Sequence, residues 1–194
     1  MGDLPFGNDE IDNIDLLSPY ATDKYTMELY SKTAHKIYQL SSVGLRFFNV
    51  YGPRQDPGSP YSGVISIFAD KLLKEQNITI NGGYQTRDFI YVKDVTNIIY
   101  RAITLASKNS ICETSNVLTG KSVTIDELAE KMMKIIDVKV KVSYQSLTAG
   151  DPKQSNGSSK KMIRLFKVKP DDFTKLNNGL ISTVDFIKKS LQHN

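Results

Sequence analysis

The sequence predicts an α/β protein in which at least part of the β-sheet is parallel. Apolar runs rich in β-branched and aromatic residues, such as VGLRFFNV at 43–50, alternate along the chain with amphipathic helical patterns. Parallel strands need long connections, and helices are the usual ones. At 194 residues, with 40% hydrophobic and 24% charged residues, the chain has the composition of a soluble globular protein and can bury a core.

The first helix is predicted from about Pro19 to about Leu40. Ser18 is a good N-cap residue, and Pro19 is well suited to the first helical position. Residues 3–17 contain acids and glycine without a sustained period, which is typical of a loop. The strand at 43–50 follows the helix and is closed by the Gly-Pro pair in NVYGP.

The alternation continues to the end of the chain. Further helices are predicted at about 64–74, at 94–106, within 122–137 and at about 179–192, and strands at 78–82, 87–92 and 111–117. Asp94 is the expected N-cap of the 94–106 helix, and Thr124 or Asp126 that of the next one. The basic run SSKKMIRLFKVK at 158–169 has apolar residues at a spacing that predicts one buried face with lysines outside.

The composition argues against several function classes. Cys112 is the only cysteine, so no disulfide can form within the chain, and its strand-like surroundings favour a buried small hydrophobic residue over a nucleophile. His35 and His193 are the only histidines, which are too few for a zinc-type cluster. The net charge of +4 comes from lysines interleaved with acids, which favours a solvated surface over nucleic-acid binding.

The sequence predicts neither a membrane span nor a signal peptide. No window approaches the roughly 18–20 apolar residues of a transmembrane helix. The first residues, MGDLPFGNDE, lack the basic and then apolar layout of a signal peptide. We therefore expect a cytoplasmic protein.

Tyr20 and Lys24 are the candidate reactive residues of the first helix. Their four-residue spacing puts both side chains on one helical face. A phenol is a weak base at neutral pH, and an ammonium group one turn away stabilises the phenolate form. Such a pair is suited to removing a hydroxyl proton while hydride leaves the same carbon for a nicotinamide. The spacing alone does not distinguish this chemistry from an ordinary solvated or packed pair.

Five motifs give this pair a context. In order along residues 18–131 they are SPYATDK, LRFFNVYGPRQDP, SGVISIF, GGYQTRDFIYVKDV and NVLTGKSVTIDELAEK, and a weaker pattern around GDPKQS and SSKK continues toward the C-terminus. Their order and spacing resemble the extended short-chain dehydrogenase/reductase family, specifically its NAD-dependent nucleotide-sugar epimerases similar to UDP-glucose 4-epimerase. The phrase QTRDFIYV favours the epimerase branch over dehydratases and decarboxylases.

The resemblance implies a role for each matching residue. Tyr20 matches the catalytic acid/base at the sugar hydroxyl, Lys24 the lysine that binds the nicotinamide ribose and tunes the phenol, and Phe48 the residue that borders the nicotinamide. The implied substrate-binding residues, for the diphosphate, the uracil and the nucleotide ribose, are Asn49, Val64, Thr79, Asn81, Arg87 and Asp151. A guanidinium group such as that of Arg87 forms paired charged hydrogen bonds with phosphate oxygens.

Some of these residues also have a structural interpretation, and the sequence departs from the family pattern at two positions. Phe48 could be a core residue, and Asn49 a turn residue at a strand end. Arg87 could belong to a surface ion pair, and Asp151 could be an N-cap or turn residue. Thr148 stands where the family usually has an arginine, which affects one expected phosphate contact. Leu118 stands where the family commonly has glycine, which would stiffen or displace that loop.

The resemblance also predicts how the chain is organised. Family members begin with a dinucleotide-binding half that contains a Gly-rich loop and the catalytic Ser or Thr, and this chain would start just after that residue. The expected fold is the C-terminal part of a Rossmann-like parallel sheet with the active-site helix, plus a small α/β substrate-binding domain, without the N-terminal half. Residues 1–57 and 91–119 would form the first part, and residues 58–90 and 120–194 the nucleotide-sugar-binding domain.

The expected function is that of an NAD-dependent UDP-hexose 4-epimerase, with UDP-glucose or UDP-N-acetylglucosamine as substrate. Hydride would pass to NAD, leave a 4-keto sugar, and return to its opposite face. The Gly-Gly pair in TINGGYQ is only a turn candidate, and no Gly-rich turn follows an early strand. We therefore expect the isolated chain to bind NAD poorly and to show little turnover.

Two alternatives to the enzyme remain open. The chain could be a noncatalytic nucleotide-sugar-binding module, or the product of a split or truncated gene. The expected small-molecule partner is a UDP-sugar, both for the enzyme and for the noncatalytic module. The expected protein partner is either a second copy, through the helix that carries Tyr20, or a separate chain that supplies the N-terminal half.

Overall fold

The structure is a computed structural model, and it describes residue 16 and residues 19–59, 61–147 and 151–192. Three residues discussed above lie outside these ranges. They are the predicted N-cap Ser18, Thr148, which stands where the family usually has an arginine, and His193. The predicted N-terminal loop is also outside these ranges, except for Leu16.

The described residues form six α-helices and seven strands. The helices are α1 (Pro19–Tyr38), α2 (Val64–Leu73), α3 (Val92–Lys108), α4 (Ile125–Ile136), α5 (Lys160–Phe166) and α6 (Leu176–Leu191). The strands are β1 (Ser42–Phe47), β2 (Asn49–Tyr51), β3 (Ile78–Asn81), β4 (Thr86–Tyr91), β5 (Cys112–Val117), β6 (Ser122–Thr124) and β7 (Val142–Gln145). A short 3-10 helix (Pro170–Asp172) precedes α6. We had assigned no element to the sequence that forms β7.

Parallel pairing dominates the sheets. β1 pairs with β5, β2 with β4 and β3 with β7, all in parallel, while β6 pairs antiparallel with the other edge of β4. The predicted α/β class with partly parallel pairing is confirmed. The boundaries of the predicted helices agree with the structure to within three residues, because their apolar spacing and end signals are local.

The single strand predicted at 43–50 is two strands with different neighbours. β1 ends at Phe47 beside β5, and β2 begins at Asn49 beside β4. Between them the Phe48 N–H donates to the Val117 carbonyl at 3.0 Å, so the backbone passes from one partner to the next without a loop. The single-strand prediction was wrong here, because composition shows that a segment is extended but not which strand will be its neighbour.

Two predicted helix caps have different outcomes. Thr124 caps α4 in a capping box, in which its side chain accepts from the Glu127 N–H and the Glu127 carboxylate accepts from the Thr124 N–H. Asp94 is not the N-cap of α3, because the helix already begins at Val92. The Asp94 carboxylate instead accepts hydrogen bonds from the N–H and the hydroxyl of Thr174, at 2.9 and 3.2 Å.

Two hydrophobic cores lie against these strands. The larger contains β2, β3 and β4 side chains packed on α2, α4 and α6, with Leu72, Ile78 and Leu128 fully buried. The smaller is built from β5, α3 and α5. Met162 and Phe166 of α5 are buried in it, which confirms the buried face predicted within the basic run at 158–169.

Three further observations bear on the excluded function classes. Cys112 is half-buried, contrary to our prediction of burial, because it is the first residue of β5 and follows an exposed turn. The Ser42 hydroxyl donates to its Sγ at 3.4 Å. Within the described part of the chain, no group of three or more His, Cys, Asp or Glu residues could hold a metal ion. Among the helices described, none has the length and apolarity needed to cross a bilayer.

Candidate functional site

Tyr20 and Lys24 lie together on α1, as their spacing predicts. The Lys24 Nζ is 5.4 Å from the centroid of the Tyr20 ring, a distance within the range of cation–π contacts. The Tyr20 side chain is 71% exposed, so the phenol is accessible to a ligand. The geometry therefore permits the predicted chemistry, although it also fits a solvated pair.

α1 is joined to the sheet by an ion pair. The Glu28 carboxylate accepts hydrogen bonds from the Nε and Nη2 of Arg46 on β1, at 2.7 and 2.8 Å. Both side chains are largely buried, with exposed fractions of 15% for Glu28 and 18% for Arg46. No residue of α1 is fully buried, so this two-bond contact is a main attachment of the helix that carries Tyr20.

Phe48 and Asn49 lie at the junction of β1 and β2. Phe48 is half-buried, which fits both the predicted nicotinamide contact and a core position. The Asn49 Nδ2 donates to the Asp88 carbonyl on β4 at 3.2 Å. This hydrogen bond fixes the Asn49 side chain beside the strand that contains Arg87.

Arg87 and Asp151 are brought together by the structure. The Arg87 Nη1 donates to the carbonyls of Thr86 and Pro152, both at 2.8 Å, and its Nη2 is 3.6 Å from Asp151 Oδ1. The Arg87 side chain is only 13% exposed, whereas that of Asp151 is 48% exposed. The ion pair that we considered as an alternative is therefore present, and a phosphate would have to share a guanidinium already held in place by the protein.

The other predicted substrate residues lie on α2 and β3. Val64 is the first residue of α2 and is half-buried. Thr79 and Asn81 occupy the exposed face of β3, and the Thr79 hydroxyl lies 3.0 Å from the Ser143 hydroxyl on β7. Sequence reasoning missed Ser143, because only the β3–β7 pairing reveals that it is a neighbour of Thr79.

Asp88 is a second residue that sequence reasoning missed. It is fully buried, and its carboxylate accepts four hydrogen bonds, from the N–H and hydroxyl of Thr119 and from the N–H groups of Gly120 and Lys121, at 2.7–3.1 Å. Burial raises the pKa of the Asp88 carboxyl, and these hydrogen bonds oppose the rise. An acid directly before the apolar run FIYV was the available signal.

The Gly82–Gly83 turn does not offer a cradle for phosphate. The Gly83 N–H donates to Gln85 Oε1 at 2.6 Å, and the Asp126 carboxylate packs against Gly83, where an added Cβ would lie 2.6 Å from it. An N–H already used, with an anionic side chain beside it, disfavours binding of a further anion. The Gly82–Gly83 turn is thus unsuited to hold the pyrophosphate of NAD.

The fold is that of the Rossmann-like α/β epimerases. The structure has a TM-score of 0.87 and 37% identity to a solved UDP-N-acetylglucosamine 4-epimerase from Methanobrevibacter ruminantium in complex with UDP-N-acetylmuramic acid, covering 97% of this chain and 60% of that one. For the UDP-glucose 4-epimerase of Thermotoga maritima with UDP-glucose, the TM-score is 0.86 at 30% identity, covering 96% and 58%.

The family assignment follows from the sequence comparison. The family described as the NAD dependent epimerase/dehydratase family matches residues 2–117, and the chain belongs to it. A putative UDP-glucose 4-epimerase from Methanocaldococcus jannaschii is 41% identical over 144 residues, which are 74% of this chain and 45% of that protein. The UDP-glucose 4-epimerase of Mycolicibacterium smegmatis is 30% identical over 176 residues, which are 90% and 54%. The chain thus spans about half the length of these relatives.

Proposed function

We propose that this chain supplies the tyrosine–lysine pair and the nucleotide-sugar site of a UDP-hexose 4-epimerase, and that it corresponds to the C-terminal portion of the family fold. The observation that carries the proposal is the placement of Lys24 Nζ 5.4 Å from the Tyr20 ring on an accessible face of α1. The relatives named above act as support, since several carry the names of UDP-glucose or UDP-N-acetylglucosamine 4-epimerases.

In this proposal Tyr20 is the general base. Its phenolate removes the proton from the C4 hydroxyl of the sugar, and the ammonium group of Lys24 stabilises the phenolate. NAD, when bound, accepts the C4 hydride and later returns it, so that the reaction has no net redox change. Tyr20 then returns the proton to the C4 oxygen after the keto sugar has turned in the site.

The remaining residues are assigned to the nucleotide sugar and the cofactor. Arg87 would bind the diphosphate, supported by its fixed guanidinium, and Asn49 would contact the substrate beside it. We assign Asp151 to the nucleotide ribose, and Phe48 to the edge of the nicotinamide. The contacts with the uracil side of the nucleotide are assigned to Val64, Thr79 and Asn81.

The proposed division of the chain into two domains also follows from the resemblance to the family. Residues 1–57 and 91–119 would belong to the dinucleotide-binding part, and residues 58–90 and 120–194 to the nucleotide-sugar-binding domain. Since the Gly82–Gly83 turn is unsuited to hold a pyrophosphate, we expect this chain alone to bind a UDP-sugar more readily than NAD. We further propose that a second copy contacts α1, or that a separate chain supplies the remaining half of the family fold.

Native mass spectrometry with UDP-glucose, UDP-N-acetylglucosamine and NAD offered in turn tests the proposal. We expect a UDP-sugar complex that Arg87→Lys weakens, because a lysine cannot form the paired hydrogen bonds of a guanidinium. Arg101→Lys is the matched control, since Arg101 also donates to a backbone carbonyl, that of Phe166, but lies on α3.

The outcomes of this experiment separate the candidate functions. UDP-sugar binding without NAD binding or turnover would support the noncatalytic module. Retained NAD, or a co-purified longer partner chain, would support the enzyme. Binding of neither ligand would contradict both, and an equal loss in the Arg87 and Arg101 variants would contradict the role of Arg87.

A further inference from the structure

Lys24 and Glu28 lie one helical turn apart on α1, but they do not form an ion pair. Lys24 Nζ lies over the Tyr20 ring, and Glu28 is bound by Arg46. Residues four positions apart on a helix are close enough to pair, and oppositely charged ones attract. In α1 the acid is instead engaged by an arginine from the sheet.

A lysine and an acid four residues apart also occur at the C-terminal end of α2, in the opposite order along the chain. Lys74 and Asp70 are also four residues apart, and the Lys74 Nζ lies 2.7 Å from an Asp70 carboxylate oxygen. Lysine and acid pair there although both side chains are partly solvated, with exposed fractions of 43% and 22%. Two things differ in α1: the lysine precedes the acid, which is the weaker of the two orders for pairing, and an arginine from β1 reaches the acid.

Arg46 engages both oxygens of the Glu28 carboxylate. Its Nε donates to Oε1 at 2.7 Å and its Nη2 to Oε2 at 2.8 Å, in the paired geometry that makes arginine–carboxylate contacts strong. A carboxylate held in this way has its charge compensated by Arg46, so it attracts a nearby ammonium group only weakly. Lys24 is then left to the ring face of Tyr20.

We propose that Arg46 is a positioning residue for the Tyr20–Lys24 pair, because by occupying Glu28 it prevents Glu28 from drawing Lys24 away from Tyr20. The catalytic meaning of this role rests on the function proposed above, but the geometric claim does not. Arg46 lies on β1, only two residues before Phe48, so the strand beside the proposed nicotinamide contact would also fix the tyrosine–lysine pair.

NMR of the whole chain after reductive ¹³C-dimethylation of its lysines tests this directly, because dimethylated lysine keeps its positive charge. The N-methyl signal of a lysine over an aromatic ring is shifted upfield by the ring current. Lys24→Arg identifies the signal by removing it, and Tyr20→Leu shows how much of its shift comes from the ring. Asp70→Asn, which breaks the pair with Lys74 at the C-terminal end of α2, is the matched control and should leave the Lys24 signal unchanged.

Three variants give the decisive comparison. In Arg46→Met we expect the upfield shift of Lys24 to be lost, because Glu28 becomes free to pair with Lys24. In Glu28→Gln, and in the double variant Glu28→Gln/Arg46→Met, we expect the shift to be retained, since glutamine carries no charge to attract Lys24. In Arg46→Lys, which can occupy only one oxygen of Glu28, we expect a smaller shift than in the parent chain.

Each contrary result would overturn the proposal. A shift retained in Arg46→Met would show that Glu28 does not compete for Lys24. An upfield shift lost in the double variant would show that Arg46 acts only by holding the helix. If Arg46→Met does not fold, Arg46→Lys takes its place, and an unchanged Lys24 shift in Arg46→Lys would exclude competition by Glu28. UDP-sugar binding is measured separately, so failure of this proposal and failure of the proposed function are distinguishable.

Discussion

The Tyr51 hydroxyl occupies the space that a side chain at Gly179 would need. An added Cβ at this position on α6 would overlap the phenol oxygen of Tyr51. Tyr51 cannot easily move, because it is 3% exposed, its ring packs against those of Phe89 and Tyr91, and its hydroxyl donates to the Leu176 carbonyl at 3.3 Å. Gly179 thus sets how closely α6 approaches β2.

The first prediction is that Gly179→Ala destabilises the protein. Alanine favours a helix over glycine by about 1 kcal/mol, but overpacking a core typically costs about 1–3 kcal/mol, so we expect a net loss in the free energy of unfolding. Urea denaturation measures it. Gly58→Ala is the control, because Gly58 is exposed and an added Cβ there would make only an ordinary contact with Asp56 at 3.4 Å.

A second experiment tests whether the loss of stability in Gly179→Ala is caused by the clash with Tyr51. Tyr51→Phe removes the hydroxyl that the new Cβ would meet, so Gly179→Ala should cost less in a Tyr51→Phe background than in the parent chain. An equal cost in both backgrounds would show that contact with the phenol oxygen is not the reason that glycine is needed.

Asp88→Asn is predicted to be strongly destabilising. An asparagine side chain would turn an amide N–H₂ toward N–H groups of Thr119, Gly120 or Lys121, which would leave buried donors without an acceptor. Each such loss costs about 1–3 kcal/mol or more. The urea midpoint should fall well below that of the control Asp171→Asn, since Asp171 is exposed. Similar midpoints for the two variants would contradict the importance of the Asp88 contacts.

From the burial of Asp88 we also predict how the free energy of unfolding depends on pH. Burial raises the pKa of its carboxyl above the ordinary value of 3.8, so between 3.8 and the higher folded-state pKa the folded protein keeps a proton that the unfolded chain has lost. The contribution of Asp88 to the free energy of unfolding should therefore decrease as the pH rises through this window. The Asp88→Asn variant lacks this pH dependence. The difference in the free energy of unfolding between the parent chain and the variant should therefore be larger at the acid end of the window. A difference that grows with pH would mean that the hydrogen bonds outweigh the desolvation.

An exposed apolar face of α1 allows a prediction about self-association. Met27, Tyr30 and Ile37 lie at helical spacing on one face and are 61–72% exposed. If a second copy covers this face, Met27→Glu should convert a dimer to a monomer in light scattering, whereas Leu29→Glu, on the opposite side of the helix, should not. A parent chain that is monomeric at all concentrations would rule out this interface.

Tyr20→Phe is predicted to separate binding from catalysis. The change removes the ionisable hydroxyl but keeps the ring, so UDP-sugar affinity should be nearly unchanged while epimerase turnover in a complete, NAD-containing assembly is lost. Isothermal titration and a coupled epimerase assay measure the two quantities. Full turnover in the variant would show that Tyr20 is not the base.

The parts of the fold that depend on local signals were predictable. The apolar spacing of α2, the Thr124–Glu127 capping box and the Pro19 start of α1 are encoded within a few neighbouring residues. That Tyr20 and Lys24 share one face of α1 was predictable for the same reason, since both belong to one helix.

The features that depend on distant partners were not predictable from one sequence. The change of strand partner at Phe48 requires β4 and β5, which come about 40 and 65 residues later. The contacts of Asp88 and Asp94 are with residues far along the chain, and Asp94 was misread as an N-cap because its local sequence fits one. The resemblance to a family suggested Arg87 and Asp151, but only the structure shows that they already contact each other.

The uninterrupted passage from β1 to β2 has a consequence for dividing this protein into parts. A conventional dissection looks for a flexible linker between structural units, and at Phe48 there is none, because one extended backbone segment contributes to both hydrophobic cores. Pulling or cutting the chain there would break both packing units at once. Fragments for expression, reporter insertions and circular permutants should therefore leave 42–51 intact and use the turn at Gly58, which is exposed.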